Sequence, residues 1–265
     1  MQTQTLPTQT KARPALVHLP DVLPAEPDPL HATQSDVARY VSRLQEADRA
    51  LALQVASRSL SPAEAILLQR RRDSIHAGMA RQATLAARRF GSDREGSIAT
   101  LNAIFNLGTA PDPAMSGSYR GDLLSTTLFS PLDSFGRFMA RIWLPWKGKR
   151  LDSATSTGYN YLTPGGRRVA RIVWSLYKHA TRTENGLYPY FTFKTSYAPA
   201  VDAAGVTTLN LDYNLPQNPA FLVRAVLDEV VQISGGYYLG KAYLRSRRGN
   251  YHLAAYFALR PDPIA

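Results

Sequence analysis

Four ionisable or phenolic side chains in the last third of the chain are candidates for acid–base chemistry. They are Asp228, Lys241, His252 and Tyr256, and an isomerase or cyclase that works inside a barrel needs only one or two such groups. Glu229 follows Asp228 directly, but adjacent residues of a strand face opposite sides, so these two carboxylates are not expected to act as a pair. The sequence contains no nucleophile elbow, histidine-rich metal motif, phosphate-binding loop or dinucleotide fingerprint. We therefore expect neither a metal nor a cofactor.

A short aromatic and basic segment, Trp146-Lys147-Gly148-Lys149-Arg150, is a candidate ligand-binding motif. Together with Trp143 it supplies two tryptophans, three cations and a glycine. Such a segment can hold an anion by charge and backbone N–H groups while the indole rings pack on an apolar body. We expect it to lie near the mouth of a ligand-binding barrel.

Two segments of the chain resemble a known family. Gly117-Ser118-Tyr119-Arg120-Gly121 and the later Trp146-Lys147-Gly148-Lys149-Arg150 are similar to the two signature pieces of the GXWXG family of uncharacterised bacterial proteins, a Gly-x-Trp-x-Gly motif and a Trp-x-Gly-Lys-Arg-Phe-like segment. The chain departs from the family at Tyr119, where the family has Trp, and at Leu151, where it has Phe. The match covers about residues 115–152. It implies a small β-rich fold and no established activity.

The opening Gly-x-Tyr-x-Gly strand is also similar, more loosely, to the first strand of the lipocalin and fatty-acid-binding group, which carries Gly-x-Trp. This likeness concerns the fold alone.

The clearest structural signal is a hairpin between Tyr237 and Arg260. Both arms are rich in aromatic and aliphatic residues, and Gly249-Asn250 between them favours the positive φ of a tight turn. Alternation along the second arm puts Leu253 and Phe257 on one face and Tyr256 on the other, and neither face is polar. Because a strand that is apolar on both faces is covered on both, we expect packed structure on each side of this hairpin.

Nine short strands are predicted after Pro113, with Gly and Pro in the turns between them. They lie at about residues 117–124, 137–143, 156–162, 168–179, 190–197, 207–213, 226–233, 237–245 and 251–259. Such a series with few helices indicates an antiparallel sheet, and closure into a barrel leaves no free edge. The predicted fold class is α+β, with N-terminal helices followed by an antiparallel β-barrel of the calycin or lipocalin type over residues 114–261.

Three helices are predicted before the barrel, in a helical segment over residues 33–110. The first follows an N-cap at Ser35, the second begins at the capping box Ser61-Pro62-Ala63-Glu64, and the third begins at another capping box, Ser92-Asp93-Arg94-Glu95. Residues 1–32 contain six prolines and are expected to form a disordered tail.

A barrel of this size either fills with side chains or encloses one small ligand. The predicted ligand-binding set comprises aromatic and basic residues: Tyr119, Arg120, Trp143, Trp146, Lys149, Arg150, Trp174, Phe193, Tyr238, Lys241, Tyr243, Tyr256 and Phe257. Aromatic members would pack on an apolar ligand and basic members would pair with an acidic group on it. We therefore expect binding of a hydrophobic, acidic small molecule or lipid. Two alternatives stay open: a barrel isomerase or cyclase, and a protein that binds a polyanion such as an anionic membrane or, less favoured, nucleic acid.

Composition narrows the class of protein. There is no cysteine, which excludes disulfides and thiol nucleophiles and fits a cytoplasmic protein. The formal net charge is +11; because residues 1–110 carry 13 basic and 10 acidic residues, most of the excess lies in the second half, where it favours anionic partners. No apolar run is long enough for an export signal or a membrane span.

Overall fold

The centre of the protein is a closed, eight-stranded antiparallel barrel. A computed structural model describes residues 25–28, 32–57, 60–127, 146–174, 183 and 186–262. The strands are β1 (Gly117–Thr126), β2 (Trp146–Asp152), β3 (Thr157–Leu162), β4 (Tyr188–Pro199), β5 (Thr207–Asp212), β6 (Val226–Ser234), β7 (Tyr237–Arg245) and β8 (Tyr251–Pro261). Each strand pairs with the next along the chain, and β8 pairs with β1 to close the barrel. The predicted α+β class, with N-terminal helices before an antiparallel barrel of calycin type, is confirmed.

The helices fall into two groups. Before the barrel lie α1 (Gln34–Ser57), α2 (Pro62–Arg89) and α3 (Arg94–Asn106), and α4 (Pro164–Val173) lies between β3 and β4. The capping box of α2 is confirmed, because Ser61 Oγ accepts from the Glu64 N–H at 3.3 Å and Glu64 Oε2 accepts from the Ser61 N–H at 2.9 Å. A 3₁₀ turn at Val223–Ala225 precedes β6.

The predicted caps of α1 and α3 are displaced. Thr33 rather than Ser35 caps α1: Thr33 Oγ1 accepts from the Asp36 N–H at 3.2 Å, and the Asp36 carboxylate accepts from the Thr33 N–H at 3.0 Å. Asp93 caps α3, because its carboxylate accepts from the Gly96 N–H at 2.9 Å. In both places a side-chain oxygen that reaches the N–H three residues onward decides where the helix begins.

The strand predicted at residues 168–179 is wrong in its described part, which belongs to α4. Thr163 Oγ1 accepts from the Gly166 N–H at 3.1 Å, and the fixed φ of Pro164 suits the first helical position. The strand predicted at residues 137–143 lies outside the described residues. Within the described ranges the barrel thus has eight strands rather than nine, one of which, β2, is formed by the aromatic and basic segment that begins at Trp146.

Both faces of the final hairpin are covered, as predicted. Phe257 packs inside the barrel, whereas Tyr256 packs in a second core formed with the three N-terminal helices. The prediction that Leu253 lies on the same face of β8 as Phe257 is wrong, because Leu253 packs against the second core, which contains Tyr256. The pairing of β7 with β8 shifts at Ala254, and one extra residue reverses the alternation beyond it.

Candidate functional site

One end of the barrel interior contains a cavity of about 100 Å³. It lies at the end where β1, β3 and β5 finish and β2, β4 and β6 begin, and its apolar walls include Trp146, Trp174, Phe191, Leu222, Ala255 and Phe257. Towards the other end the interior is filled by packed side chains, among them Tyr119, Leu151, Leu209 and Leu259. A second pocket of about 150 Å³ lies beside Leu151 and Leu209 at that end, and its other walls are mostly polar.

Four buried polar side chains border this cavity and form what we call the Lys149 cluster: Lys149, Asn160, Tyr213 and Asp228. Lys149 Nζ donates to Asn160 Oδ1 at 2.8 Å, to the Tyr213 hydroxyl at 2.6 Å and to Asp228 Oδ2 at 2.7 Å. The Tyr213 hydroxyl also lies 3.1 Å from both Asn160 Oδ1 and Asp228 Oδ2. Trp146 Nε1 donates to Asn160 Oδ1 at 3.1 Å. All three protons of the ammonium are thereby bound.

An irregularity in the pairing of β2 turns the Lys149 side chain towards the cavity. Trp146 and Lys149 are three residues apart, so regular alternation would put them on opposite faces. The pairing of β2 with β3 shifts between Trp146 and Gly148, and both side chains consequently face the cavity. Gly148 has φ +148°, and a Cβ there would collide with the carbonyl oxygen of Tyr119 on β1. Only glycine permits this approach of β1 and β2.

Aromatic rings surround the ammonium. Lys149 Nζ lies 5.2 Å from the ring centroid of Trp146, 5.4 Å from that of Phe193, 5.3 Å from that of Tyr213 and 5.2 Å from that of Phe257. Each such contact is favourable for a cation, and more so away from water. Together with the carboxylate of Asp228, these rings offset part of the cost of burying the charge.

The protonation of the cluster follows from its burial. Burial lowers the pKa of the Lys149 ammonium, and the Asp228 carboxylate opposes that change. Burial, with the nearby Asp228 charge, raises the pKa of the Tyr213 phenol well above its ordinary value of 10.0. Tyr213 therefore stays protonated, while Lys149 loses its proton more readily than an exposed lysine does.

Two residues of the cavity wall have unusual backbone conformations. In the described part of the chain, three residues other than glycine have positive φ, and two of them, Phe191 (52°) and Leu222 (63°), line the cavity. Each costs on the order of 1–3 kcal/mol, so the surrounding packing must hold it in place. The Trp174 ring contacts the Phe191 ring at 5.0 Å, and Trp174 Nε1 donates to the Phe221 carbonyl at 3.1 Å. These contacts join the end of α4 to the β5–β6 connection across this end of the barrel.

Several residues of the predicted ligand-binding set lie inside the barrel. Trp146, Lys149, Trp174 and Phe257 line the cavity, and Phe193 lies beneath the ammonium. Lys149 thus faces the interior rather than an exposed mouth. Tyr119 and Tyr238 are interior as well, but they pack edge to face on each other at 5.6 Å in the filled part of the barrel.

Other members of the set face away from the cavity. Arg120 and Arg150 are exposed on the outer surface, because alternation directs them outward from β1 and β2. Tyr243 is buried against Tyr251, with the two rings 6.3 Å apart, and does not line the cavity. Trp143 lies outside the described residues.

Two of the four acid–base candidates, Lys241 and Tyr256, are direct cross-strand neighbours on the helix side of the barrel, but the four do not form one site. Asp228 faces the interior, whereas Lys241 and Tyr256 lie on the opposite side of the barrel wall, where Lys241 Nζ donates to Asp202 at 2.7 Å. His252 is exposed near the start of β8. The physical reason is the alternation of β6 to β8, which turns these side chains to different faces. The predicted separation of Asp228 from Glu229 onto opposite faces agrees with this arrangement.

Sequence reasoning missed the role of Asn160. It is an isolated amide between Tyr159 and Tyr161 in β3, and its oxygen receives three hydrogen bonds in the cluster. A polar residue flanked by apolar ones in a predicted barrel strand is the signal that would have identified it. Asn160, Lys149 and Asp228 come from three different strands, so their meeting depends on the closure and register of the barrel.

No protein-family model matches the chain, and no curated protein matches it. Among solved structures, the chain is similar to a protein from Thermomonospora curvata, with 15% sequence identity and a TM-score of 0.37 over 67% of this chain and 98% of that chain. The resemblance to the GXWXG family stays a prediction. Fold and site together define a calycin-like barrel with a polar cluster beside an internal cavity.

None of the helices in the described residues is long and apolar enough to cross a membrane. Nor do those residues contain a group of three His, Asp or Glu side chains placed to hold a metal ion.

Proposed function

We propose that the barrel binds a small, mostly apolar molecule in the cavity beside the Lys149 cluster. The observation that carries this proposal is the combination of apolar walls with a few convergent, buried polar groups, which is the usual composition of a small-molecule site. The positive φ of Phe191 and Leu222 in the same wall supports it, since backbone strain concentrates at binding sites.

The size of the cavity narrows the ligand class. Its volume of about 100 Å³ is below the roughly 300–1,000 Å³ of sites for drug-sized ligands. A small ring or short branched chain suits this space better than the extended chain of a lipid. The ligand expected from the sequence is therefore narrowed from a hydrophobic molecule or lipid to a small hydrophobic molecule.

The polar group of the ligand is expected to be a hydrogen-bond donor. Both hydrogen bonds that the Asp228 carboxylate accepts from described residues go to Oδ2, which leaves Oδ1 for a ligand. Lys149 has its protons bound and its charge matched by Asp228, so a ligand carboxylate would have to displace that partner. An alcohol, amide or amine is consequently favoured over the acid expected from the sequence.

Cyclopentanol, a small ring with one hydroxyl, is a suitable probe. Saturation-transfer NMR on the full chain should detect its binding to the wild-type protein. Ala255→Phe places a ring in the cavity and should abolish the signal, while the melting temperature falls by no more than about 2–12 °C. Ala204→Phe, at an exposed loop position, is the matched control and should bind as wild type does. Equal binding by wild type and Ala255→Phe, or none by wild type at saturating probe, would overturn the proposal.

The polyanion alternative has less support. Of the basic residues in the Trp146–Arg150 segment, Lys149 faces inward, so Lys147 and Arg150 alone offer outward charge there. Binding to an anionic surface through such residues would weaken steeply with salt. Binding in the cavity would be nearly independent of salt, which separates the two functions in one titration.

A further inference from the structure

We infer that Lys149 is an amine nucleophile that forms an imine with a small carbonyl compound held in the cavity. This inference deepens the proposed function and rests on it, because the same cavity must first bind the carbonyl compound. The carbonyl oxygen would accept from the Tyr213 hydroxyl, whereas an alcohol would donate to Asp228 Oδ1. It assigns a reaction to the barrel, which binding of a small molecule alone does not require.

The placement of Lys149 meets the needs of an amine nucleophile. Its side chain is 3% exposed, and it borders a cavity whose walls are otherwise mostly apolar. Lysines that form imines work as the neutral amine, which a desolvated pocket favours over the ammonium. The lowered pKa of Lys149 has this same cause.

The neighbours of Lys149 supply the proton transfers that the reaction needs. Asp228 Oδ2, at 2.7 Å from Nζ, is placed to accept the ammonium proton. The Tyr213 hydroxyl, at 2.6 Å from Nζ, carries a proton that can be given to the carbonyl oxygen. Proton acceptor and proton donor therefore both lie within hydrogen-bond distance of the attacking nitrogen.

The step balances without any further reagent. The ammonium of Lys149 passes a proton to Asp228, and the free amine attacks the carbonyl carbon, so that a C–N bond forms and the C–O π bond breaks. The oxygen takes a proton from Tyr213 and leaves as water after a second protonation, for which the protonated Asp228 is the source. The second N–H proton restores Tyr213 to the phenol, and the product is a protonated imine paired with the Asp228 carboxylate.

The other described lysines lack this setting. Lys241 is also buried, but its ammonium lies 4.3 Å from the Phe105 ring under the helices and pairs with Asp202 outside the barrel interior. Lys147 and Lys194 are exposed. Reaction with a carbonyl compound should accordingly select Lys149.

Reductive trapping tests the inference. The full chain is incubated with cyclopentanone and cyanoborohydride, and intact-mass and peptide mass spectrometry locate any cyclopentyl group. One group on Lys149 is expected, and Lys149→Met should lower incorporation by about 100-fold, the scale of a lost nucleophile, whereas Lys147→Met should not change it. Tyr213→Phe should slow trapping by about 100-fold or more, because the proton donor for the carbonyl oxygen is lost.

Cyclopentanol binding, measured on the same samples, separates the two proposals. Bound cyclopentanol with no adduct on Lys149 would overturn the imine inference and leave small-molecule binding intact. Adducts spread over exposed lysines and unchanged in Lys149→Met would also overturn it. A protein that neither binds cyclopentanol nor reacts would overturn both. For each variant, retained cyclopentanol binding shows that the site has folded.

Discussion

Replacing Asp228 with Asn tests the electrostatic account of the barrel interior. The side chains of Lys149 and Asp228 are 3% and 6% exposed and their charged atoms are 2.7 Å apart. Removing one partner of so buried a pair leaves the other charge without compensation, which costs about 3–5 kcal/mol. Asn keeps one acceptor for Nζ, so we expect a loss near 3 kcal/mol, which for a chain of this length lowers the melting temperature by roughly 6–12 °C.

Removing the second charge should recover part of this loss. In Lys149→Met/Asp228→Asn both charges are absent, and buried pairs replaced by neutral groups are often no less stable than the original. The double variant should therefore be at least about 1 kcal/mol more stable than Asp228→Asn. Asp122→Asn breaks the half-exposed pair with Arg260 and is the matched control, with an expected cost of about 1 kcal/mol or less.

The pH dependence of the unfolding free energy of Asp228→Asn is a second, independent test of the buried ion pair. In the folded variant the Lys149 pKa is lowered by burial without an opposing carboxylate, whereas the unfolded chain holds this proton up to the ordinary value of 10.5. The unfolded state then binds more protons, so the unfolding free energy of the variant should rise with pH towards 10.5. Urea denaturation followed by circular dichroism at several pH values measures all four proteins. A loss of stability below about 1 kcal/mol in Asp228→Asn would show that the buried ion pair contributes no more than an exposed one. A double variant less stable than Asp228→Asn would contradict the cost assigned to the unpaired Lys149 charge.

Three other predictions concern parts of the fold that support the site. Gly148→Ala should lower the unfolding free energy by about 3 kcal/mol in urea denaturation, because its Cβ meets the Tyr119 carbonyl. Gly165→Ala, at an exposed position of α4, is the control and should change the unfolding free energy by about 0.5 kcal/mol or raise it. Similar losses in the two variants would contradict the role of Gly148 in β2. Burial raises the pKa of Glu229 to about 7, so the folded state keeps a proton that the unfolded chain releases near 4.5. The unfolding free energy should therefore fall between about pH 4.5 and 7, by on the order of 3 kcal/mol. A Glu229→Gln variant that keeps the same fall would show that another group causes it. Ser61→Ala should cost about 1 kcal/mol through the lost cap, and an unchanged melting temperature would show that the start of α2 is held by packing alone.

Local signals predicted much of the fold. The three N-terminal helices, the final hairpin and the antiparallel barrel follow from caps, glycine turns and alternation, which act over a few residues. Asp228 and Phe257, candidates from the sequence, both border the cavity, and their neighbours already indicate strands. The described part of the strand predicted at residues 168–179 shows the limit, because Thr163 and Pro164 start a helix before it despite the apolar composition that follows.

The site itself depends on geometry that no local pattern carries. The shift in β2 that turns Lys149 inward arises from how β2 pairs with β3, and it requires Gly148 to pass close to β1. A single-residue shift in register exchanges the inner and outer faces of a strand, so an expectation based on regular alternation cannot locate the lysine. The partners Asn160 and Tyr213 meet it only because the barrel closes.

The most direct test is a crystal structure of the wild-type protein with cyclopentanol. We expect electron density for the ring between Trp174 and Phe257, with the hydroxyl within hydrogen-bond distance of Asp228 Oδ1. An empty cavity at saturating cyclopentanol, or one filled by the protein's own side chains, would contradict the claim that the barrel binds a small molecule.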